Sequence, residues 1–311
     1  MKAVEKTAII LVTFNHWEMT KNCLNDLYKQ PRERFQIFVV DNGSNDGTQE
    51  NIKRDFPDAQ LLSPGTNVGF GSANNRGVSL AKNGATFFDS ILLLNNDTRI
   101  PEGSLEALQK DLSQFPNAVI SPQLRNADGS VQKSWFSQIP HLQFFLNAFR
   151  TQKKAERYVH GKTLSVPNTP FRKAQWTNAA AWMMTVETWE KVGSFDENIF
   201  MYYEDVDWAY RAHRLGISFL IDTKTSITHL DGGSAKNALL RSLQHDSSQL
   251  YFYRKHFGIR GAVLSRAFRA TRSLVRILLL LPKALSSDAR TNIKIHSVLF
   301  LFSIGLFKCK H

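Results

Sequence analysis

The sequence lacks the features that mark secreted, disulfide-bonded or zinc-knuckle proteins. Its two cysteines, Cys23 and Cys309, lie far apart in the chain, which excludes a disulfide framework and the paired spacing of a zinc site. The apolar run near the N-terminus is short, leads into Asn15 and His16, and has no small-residue cleavage site after it. We therefore expect a first strand rather than a signal peptide, and a reducing, cytoplasmic setting.

Acidic residues are scarce in one part of the chain. Residues 251–311 hold twelve of the 39 Lys and Arg residues but one acid, Asp288, and so carry +11 of the total charge of +12. The other 250 residues are nearly neutral and contain no recognised nucleic-acid-binding module, so nucleic acid is not an expected partner. With 42% hydrophobic residues in 311, the chain has material for one large or two ordinary domains.

Apolar runs alternate with amphipathic segments in the first half, which predicts an α/β fold with a mostly parallel sheet. The predicted strands are 7–14, 35–40 and 89–94, and the predicted helices are 17–30, with Asn15 as a possible N-cap, 46–56, 72–82 and 101–115. Residues 123–173 are predicted to be irregular. These are followed by a strand at 180–185, a helix ending at Gly193, a segment at 195–216 that ends as a helix with a glycine stop, a strand at 217–221 and a helical C-terminal part.

Polar clusters end three of the predicted strands. They contain Thr13 and Asn15, then Asp41, and then the segment Asn95, Asn96 and Asp97. In a parallel sheet these ends share one edge, where such sheets bind ligands. Asp and Asn also form turns after strands, but three clusters in register favour a ligand site.

A fourth segment, residues 67–77, places glycines and amides before a predicted helix. This arrangement suits a diphosphate, since backbone can approach the ligand and a helix N-terminus favours anions. A glycine-rich loop with Asn caps explains the segment equally well. Residues 41–46 do not complete a calcium loop, and residues 69–74 do not complete a dinucleotide-binding fingerprint.

Taken together with the segment 200–207, FMYYEDVD, these motifs resemble an inverting family 2 glycosyltransferase of the GT-A fold, in its bacterial rhamnosyltransferase-like group. The resemblance covers residues 7–230. It implies a Rossmann-like, mixed, mostly parallel sheet flanked by helices in residues 1–235. Residues 236–311 would then form a helical, basic amphipathic extension.

The resemblance also implies roles for individual residues. Asp97 and His229 would bind Mg²⁺ or Mn²⁺, although Asn95 stands where the family has its first Asp. Asp205 would be the catalytic base, and Glu204 and Trp176 would contact the acceptor, whereas Asp207 is expected to be structural. The expected nucleotide-binding residues are Thr13, Asn15, Asp41, Asn67, Gly69, Asn74 and Asn96.

The implied activity is that of a metal-dependent hexosyltransferase in bacterial surface polysaccharide synthesis. It would move L-rhamnose from dTDP-rhamnose to a hydroxyl of a glycan or lipid-diphosphate-linked acceptor with inversion. Alternatives are another donor, such as UDP-galactofuranose or UDP-N-acetylglucosamine, or a non-catalytic nucleotide-binding partner of a polysaccharide assembly.

The C-terminal part is predicted to associate peripherally with the inner face of the cell membrane. The helical spacing of residues 258–280 gives an amphipathic helix, which suits an anionic membrane surface. A helical subdomain that packs on the catalytic domain or on a second subunit is the alternative. One face carries Arg266, Arg269, Arg272 and Arg276, and the other carries Val263, Ala267, Phe268, Leu274, Val275 and Leu278.

Overall fold

The computed structural model describes residues 6–136, 163–230, 238–283 and 286–306. The strands are β1 Thr7–Thr13, β2 Phe35–Asp41, β3 Gln60–Leu62, β4 Ser90–Asn95, β5 Thr98–Arg99, β6 Ala118–Arg125, β7 Trp135–Phe136, β8 Leu164–Ser165, β9 Phe171–Ala174, β10 Trp176–Thr177, β11 Ala181–Thr185 and β12 Ser218–His229. The helices are α1 Trp17–Tyr28, α2 Thr48–Asp55, α3 Phe70–Asn83, α4 Ser104–Gln114, α5 Val186–Val192, α6 Glu204–Arg214, α7 Ala238–Leu280 and α8 Ser287–Ser303.

The chain divides into two compact units. The first, the sheet unit, comprises Met1–Ile139, Val159–Glu197 and Asp205–Ser234. The second, the helical unit, comprises Pro140–Tyr158, Asn198–Glu204 and Ala235–His311. The short segment before Asp205 therefore belongs to the helical unit, although it precedes the last strand of the sheet unit in the chain.

The sheet unit is built on a mixed ten-stranded sheet with the order β3-β2-β1-β4-β11-β6-β12-β9-β8, and β5 pairs with β12. The pairs β3–β2, β2–β1 and β1–β4 are parallel. Their apolar runs are buried without alternation because helices cover both faces of a parallel sheet. Gly77 of α3 allows close packing on β1, since a Cβ there would lie 2.5 Å from Ile10 Cγ2.

Strand register sets the position of the polar clusters. Thr13 pairs with Asp41 between β1 and β2, and Val12 pairs with Asn95 between β1 and β4. The three strands therefore end side by side, as the sequence predicted. Their polar end residues are brought to one edge of the sheet.

Several predicted boundaries were wrong. The residue before α1 is His16 rather than Asn15, and it makes no side-chain cap hydrogen bond. The fourth helix begins at Ser104, after Gly103, rather than at Pro101. The region predicted to be irregular contains the end of β6 together with β7, β8 and β9, and its residues 137–162 lie outside the described part. The last strand runs to His229 instead of ending at residue 221.

The helical unit contains α7 and α8. Gly258 interrupts α7 with a φ of 66°, a left-handed value that glycine tolerates. Leu243 of α7 packs on Leu299 and Phe302 of α8. Among the described helices, none combines the length and apolar character needed to cross a bilayer.

The second half of α7 is helical as predicted, but burial does not separate the two predicted faces. Arg269 and Phe268 are both buried. By contrast, Val263, Leu274 and Leu278 are exposed. Apart from Phe268, the residues predicted for the apolar face are exposed.

Candidate active site

The end of β1 is linked to the segment after β4 by side-chain hydrogen bonds. The Asn96 amide donates to Thr13 Oγ1 at 3.2 Å and to Thr20 Oγ1 at 2.9 Å. Thr13 Oγ1 and Thr20 Oγ1 are themselves 2.7 Å apart. Two of the predicted nucleotide-binding residues therefore lie together and hold the strand ends in register.

Hydrogen bonds also hold the end of β2 in place. Asp41 is buried and accepts hydrogen bonds from the Ser44 backbone N–H and, at 2.6 Å, from Gln49 Nε2. Asn15, with a left-handed φ of 58°, accepts from the Asn45 backbone N–H at 2.9 Å. The structure thus brings Asn15 and Asp41 together in the neighbouring loops that follow β1 and β2. Their hydrogen bonds also stabilise these loops.

The loop before α3 is closed by amide side chains. Asn67 Oδ1 accepts from Asn42 Nδ2 and from the Gly69 backbone N–H, each at 3.0 Å. Gly69 has φ 88° and ψ 162°, a conformation suited to glycine. Asn74 is buried and donates to the Phe70 carbonyl at 2.9 Å. These bonds agree with the interpretation of a glycine-rich loop held by Asn, and leave its nucleotide role a prediction.

Asp97 and His229 meet although 132 positions separate them in the chain. Strand β5 pairs with the end of β12, so that His229 lies opposite Thr98. The His229 Nε2 atom lies 3.2 Å from Asp97 Oδ1. Asn95 Nδ2 approaches the same Nε2 atom at 3.4 Å. The two residues predicted to bind metal are therefore adjacent and mostly buried.

Gln132 fixes the orientation of His229, a role that was not predicted from the sequence. Its Nε2 donates to the His229 carbonyl at 3.5 Å, which leaves Oε1, at 2.9 Å, to accept from Nδ1–H. With Nδ1 occupied by this hydrogen bond, Nε2 is the ring nitrogen that faces Asp97. A metal-binding histidine commonly has such a hydrogen bond on its other ring nitrogen.

The oxygen and nitrogen atoms of Asp97, His229 and Asn95 suit a hard divalent cation whose remaining ligands come from a substrate. Neighbouring ligands of an octahedral Mg²⁺ at ~2.1 Å are about 3 Å apart, close to the Asp97–His229 spacing. Asn95 Oδ1 is buried beside them and accepts no hydrogen bond from any described residue. Among the residues described, no group of three or more His, Cys, Asp or Glu forms a site. Mg²⁺ sites that rely on substrate phosphates typically have only one or two protein carboxylates.

Asp205 lies at the start of α6 and is joined to this edge through the backbone of residues 179 and 180. The Asn95 backbone N–H donates to the Ala180 carbonyl at 2.9 Å, and the Ala179 N–H donates to the Asp205 carboxylate. Burial raises the pKa of Asp205 to about 6, against the effect of backbone hydrogen bonds from Val206 and Ala179. A carboxylate with this pKa is mostly ionised at neutral pH and is a stronger base than an ordinary Asp.

The neighbours of Asp205 differ in role. Asp207 is fully buried and forms an ion pair with Arg211 at 3.0 Å, which agrees with its predicted structural role. Glu204 is buried. Trp176 is also buried, and its ring stacks on Phe136 at a centroid distance of 3.7 Å. A stacked, buried ring has little surface for an acceptor, so the acceptor role of Trp176 stays a prediction.

Comparison with protein families identifies the family to which the sheet unit belongs. The family model described as Glycosyl transferase family 2 matches residues 8–174, more than half of the chain. The chain belongs to glycosyl transferase family 2. The protein is therefore a glycosyltransferase. The match ends before Asp205 and His229, so the family model does not assign roles to these two residues.

Two curated relatives are rhamnosyltransferases. The chain is 26% identical over 291 residues to the N-acetylglucosaminyl-diphospho-decaprenol L-rhamnosyltransferase of Mycobacterium tuberculosis, covering 86% of this chain and 94% of that protein. It is 27% identical over 226 residues to the dTDP-rhamnosyl transferase RfbF of Shigella flexneri, covering 72% of this chain and 68% of that one. These matches support a rhamnosyltransferase-like glycosyltransferase of family 2.

Solved structures establish the GT-A fold, with its mixed, mostly parallel sheet flanked by helices and a C-terminal helical region. The mannosyltransferase PcManGT from Pyrobaculum calidifontis, in complex with GDP-Man and Mn²⁺, has a TM-score of 0.56 at 14% identity and covers 98% of this chain and 88% of that one. GalNAc-T7 with UDP, GalNAc and Mn²⁺ has a TM-score of 0.55 at 15% identity. That match covers 81% of this chain but half of GalNAc-T7.

Proposed function

We propose that this glycosyltransferase transfers L-rhamnose from dTDP-rhamnose, with inversion, to a sugar hydroxyl of a lipid-diphosphate-linked acceptor in bacterial surface polysaccharide synthesis. The two rhamnosyltransferase relatives support the donor, and the mycobacterial one, named for a diphospho-decaprenol acceptor, supports the lipid carrier. The observation that carries the proposal is the Asp97–His229 pair at the sheet edge, to which Asp205 is joined through Ala179 and Ala180.

In this proposal Asp205 acts as the base. Its carboxylate accepts the proton of the acceptor hydroxyl as that oxygen attacks the anomeric carbon of the donor sugar. The bond to the nucleoside diphosphate breaks on the opposite face, so the configuration at this carbon inverts. The Ala179 N–H and the helix backbone hold the carboxylate in place, and its raised pKa makes it a better proton acceptor.

The leaving group is a diphosphate on which negative charge develops. Asp97 and His229 would hold Mg²⁺ or Mn²⁺, which supplies charge neutralisation at the leaving oxygen when bound. The fixed Nδ1–H of His229 keeps its Nε2 lone pair available for this purpose. Glu204 would contact the acceptor, and the loops around Asn15, Asp41 and Gly69 would contact the nucleotide.

A donor panel tests the proposal. Purified protein is incubated with Mn²⁺, a synthetic N-acetylglucosaminyl-diphospho-prenol and, in turn, dTDP-rhamnose, UDP-galactofuranose or UDP-N-acetylglucosamine. We expect release of free dTDP and formation of a rhamnosylated product. Turnover with a UDP-sugar alone would replace the donor assignment, and binding of dTDP without any transfer would favour a non-catalytic partner.

We also propose that the helical unit lies on an anionic membrane surface, where such an acceptor is found. An exposed apolar patch of this kind usually marks an interaction site. The high positive charge of residues 251–311 favours an anionic leaflet as its partner over a neutral protein surface. The patch comprises Leu274, Leu278, Leu279 and Leu281, which are exposed by 46%, 56%, 65% and 51%.

Vesicle flotation tests the membrane surface. We expect the whole chain to float with phosphatidylglycerol vesicles at low salt, and less at high salt. Replacing Leu274 and Leu278 by Ser should weaken binding about tenfold or more, because two apolar side chains no longer enter the leaflet. The matched control replaces two exposed leucines elsewhere, Leu215 and Leu240. Equal binding by both variants, or no flotation of the wild type, would contradict the membrane assignment.

A further inference from the structure

The buried face of the second half of α7 carries polar residues beside Phe268. Ser265, Arg269 and Ser273 recur at four-residue steps, and each is at most 4% exposed. A helix that covers an apolar core normally buries its apolar face. The three buried polar residues on this helix need polar partners.

Buried Arg269 lies at the centre of this face. It pairs with Asp246 and donates to Gln249, which in turn donates to the Tyr203 hydroxyl. Its Nε atom is nevertheless buried without a hydrogen-bond partner among the described residues. His296 Nδ1 of α8 is another buried nitrogen without a described partner. Buried polar atoms of this kind usually have a partner, such as an ordered water, an ion or a bound ligand.

Positive charge accumulates beside these atoms. Arg269, Arg272 and Arg276 follow at steps of three and four, which places them on one side of the helix. Within the described residues, only Arg269 of the three forms an ion pair. Arg272 and Arg276 are exposed residues. Partial desolvation of its guanidinium, and then the charge of Arg276, nevertheless lower the pKa of Arg272, and burial lowers that of Arg269 to about 9. An anion at this position would restore both.

His296 completes the group. Burial lowers its pKa, and the charges of Arg272 and Arg276 lower it further, so its ring lies close to both guanidinium groups. These four side chains, Arg269, Arg272, Arg276 and His296, are called the arginine cluster below. They come from two helices of one unit.

We infer that the arginine cluster binds the diphosphate of the lipid-linked acceptor, a ligand that rests on the proposed function. Guanidinium groups pair with phosphate oxygens through two parallel hydrogen bonds, and Arg272 and Arg276, one turn apart, can contact one phosphate each. The exposed leucines of the same helix offer an apolar surface to the prenyl chain. Free inorganic diphosphate carries the same charged group without that chain.

Direct binding tests the inference. The affinities of farnesyl diphosphate, inorganic pyrophosphate and dTDP with Mn²⁺ are measured by calorimetry on the full chain at fixed ionic strength. The test variant is R272Q/R276Q. The matched control, R260Q/R290Q, removes the same charge from two exposed arginines of the same helices. Melting temperatures establish that both variants fold.

We expect R272Q/R276Q to weaken farnesyl diphosphate binding at least about tenfold, since two charge-assisted contacts are lost, while the control changes it less than about twofold. If the glutamine variant does not fold, R272K/R276K keeps the charges but loses the paired hydrogen bonds, and a several-fold loss is expected. Equal effects in test and control variants, or none, would overturn the inference. Pyrophosphate binding as tightly as farnesyl diphosphate would overturn the lipid assignment.

The dTDP measurement separates this inference from the proposed function. We expect dTDP affinity to be the same in the wild type and in both glutamine variants, because its site is placed at Asp97. If dTDP does not bind while farnesyl diphosphate still requires Arg272 and Arg276, the nucleotide proposal fails and the arginine cluster stands. If dTDP binds and farnesyl diphosphate does not, the reverse holds.

Discussion

Replacement of Asp205 and variation of pH probe the base directly. Because burial raises the pKa of Asp205 to about 6, its ionised fraction falls from about nine-tenths at pH 7 to about one-tenth at pH 5. The kcat/KM for the acceptor should therefore fall about tenfold over this interval, since only the ionised carboxylate accepts the hydroxyl proton. An Asp with an ordinary pKa near ~3.9 would lose only about a tenth of its activity.

The assay follows release of the nucleoside diphosphate at subsaturating acceptor, in buffers of constant ionic strength. Asp205→Asn should lower kcat by about 10² to 10⁴ at pH 7 and leave nucleotide affinity nearly unchanged. Asp58→Asn, which alters an exposed acid, is the control. A wild-type profile that stays flat from pH 7 to pH 5, or an Asp205→Asn enzyme with normal turnover, would refute the assignment of the base.

Four further predictions concern neighbouring groups. His229→Ala should reduce Mn²⁺-stimulated turnover less than loss of the Asp97 carboxylate does, and unchanged metal dependence in a Mn²⁺ titration would remove His229 from the site. Gln132→Ala should weaken Mn²⁺ binding about 10- to 100-fold, because the His229 ring loses the acceptor of its Nδ1–H. The same Mn²⁺ titration, in the presence of nucleotide, measures this loss. Asp207→Ala should lower the free energy of unfolding in urea by about 2 to 4 kcal/mol, because partly buried Arg211 loses its carboxylate; a loss under about 0.5 kcal/mol would contradict this role. Burial, and then the charge of Asp222 on β12, raise the pKa of Asp111 to about 7, above its value in the unfolded chain. The free energy of unfolding should therefore decline as pH rises from 4 through 7. Asp111→Asn should have a higher melting temperature than the wild type at pH 8.

Much of the sheet could be predicted from the sequence because its strands are uninterrupted apolar runs. Strands β1, β2 and β4 are buried on both faces, and their lengths follow from where the polar residues begin. The parallel order then places Thr13, Asp41 and Asn95 together. This part of the site is local in sequence and needs no knowledge of distant pairing.

The other half of the site depends on contacts that a local pattern does not encode. Two-residue strand β5 has no periodicity, yet its pairing with β12 brings His229 to Asp97. Gln132 follows a turn in a region that was predicted to be irregular, and nothing in its neighbours indicates that it would orient a histidine. The family resemblance supplied His229, but no sequence feature supplied Gln132.

The helical unit shows a different limit. Residue spacing predicted an arginine face and an apolar face on α7, but Arg269 of the first and Phe268 of the second are both buried. Spacing does not say which face is directed inward, because that depends on what the rest of the unit offers. The partners of Arg269, namely Asp246 and Gln249, lie on the first half of the same helix, beyond the bend at Gly258.

The most direct test of the central claim is the Mn²⁺ dependence of dTDP binding, measured by calorimetry on the wild type and on Asp97→Ala. We predict that Mn²⁺ tightens dTDP binding at least about tenfold in the wild type, because Asp97 and His229 would hold the cation, which would neutralise the charge of the diphosphate. In Asp97→Ala we predict equally weak binding with and without the metal. Tight dTDP binding that is the same in excess chelator, or that survives intact in Asp97→Ala, would contradict the account.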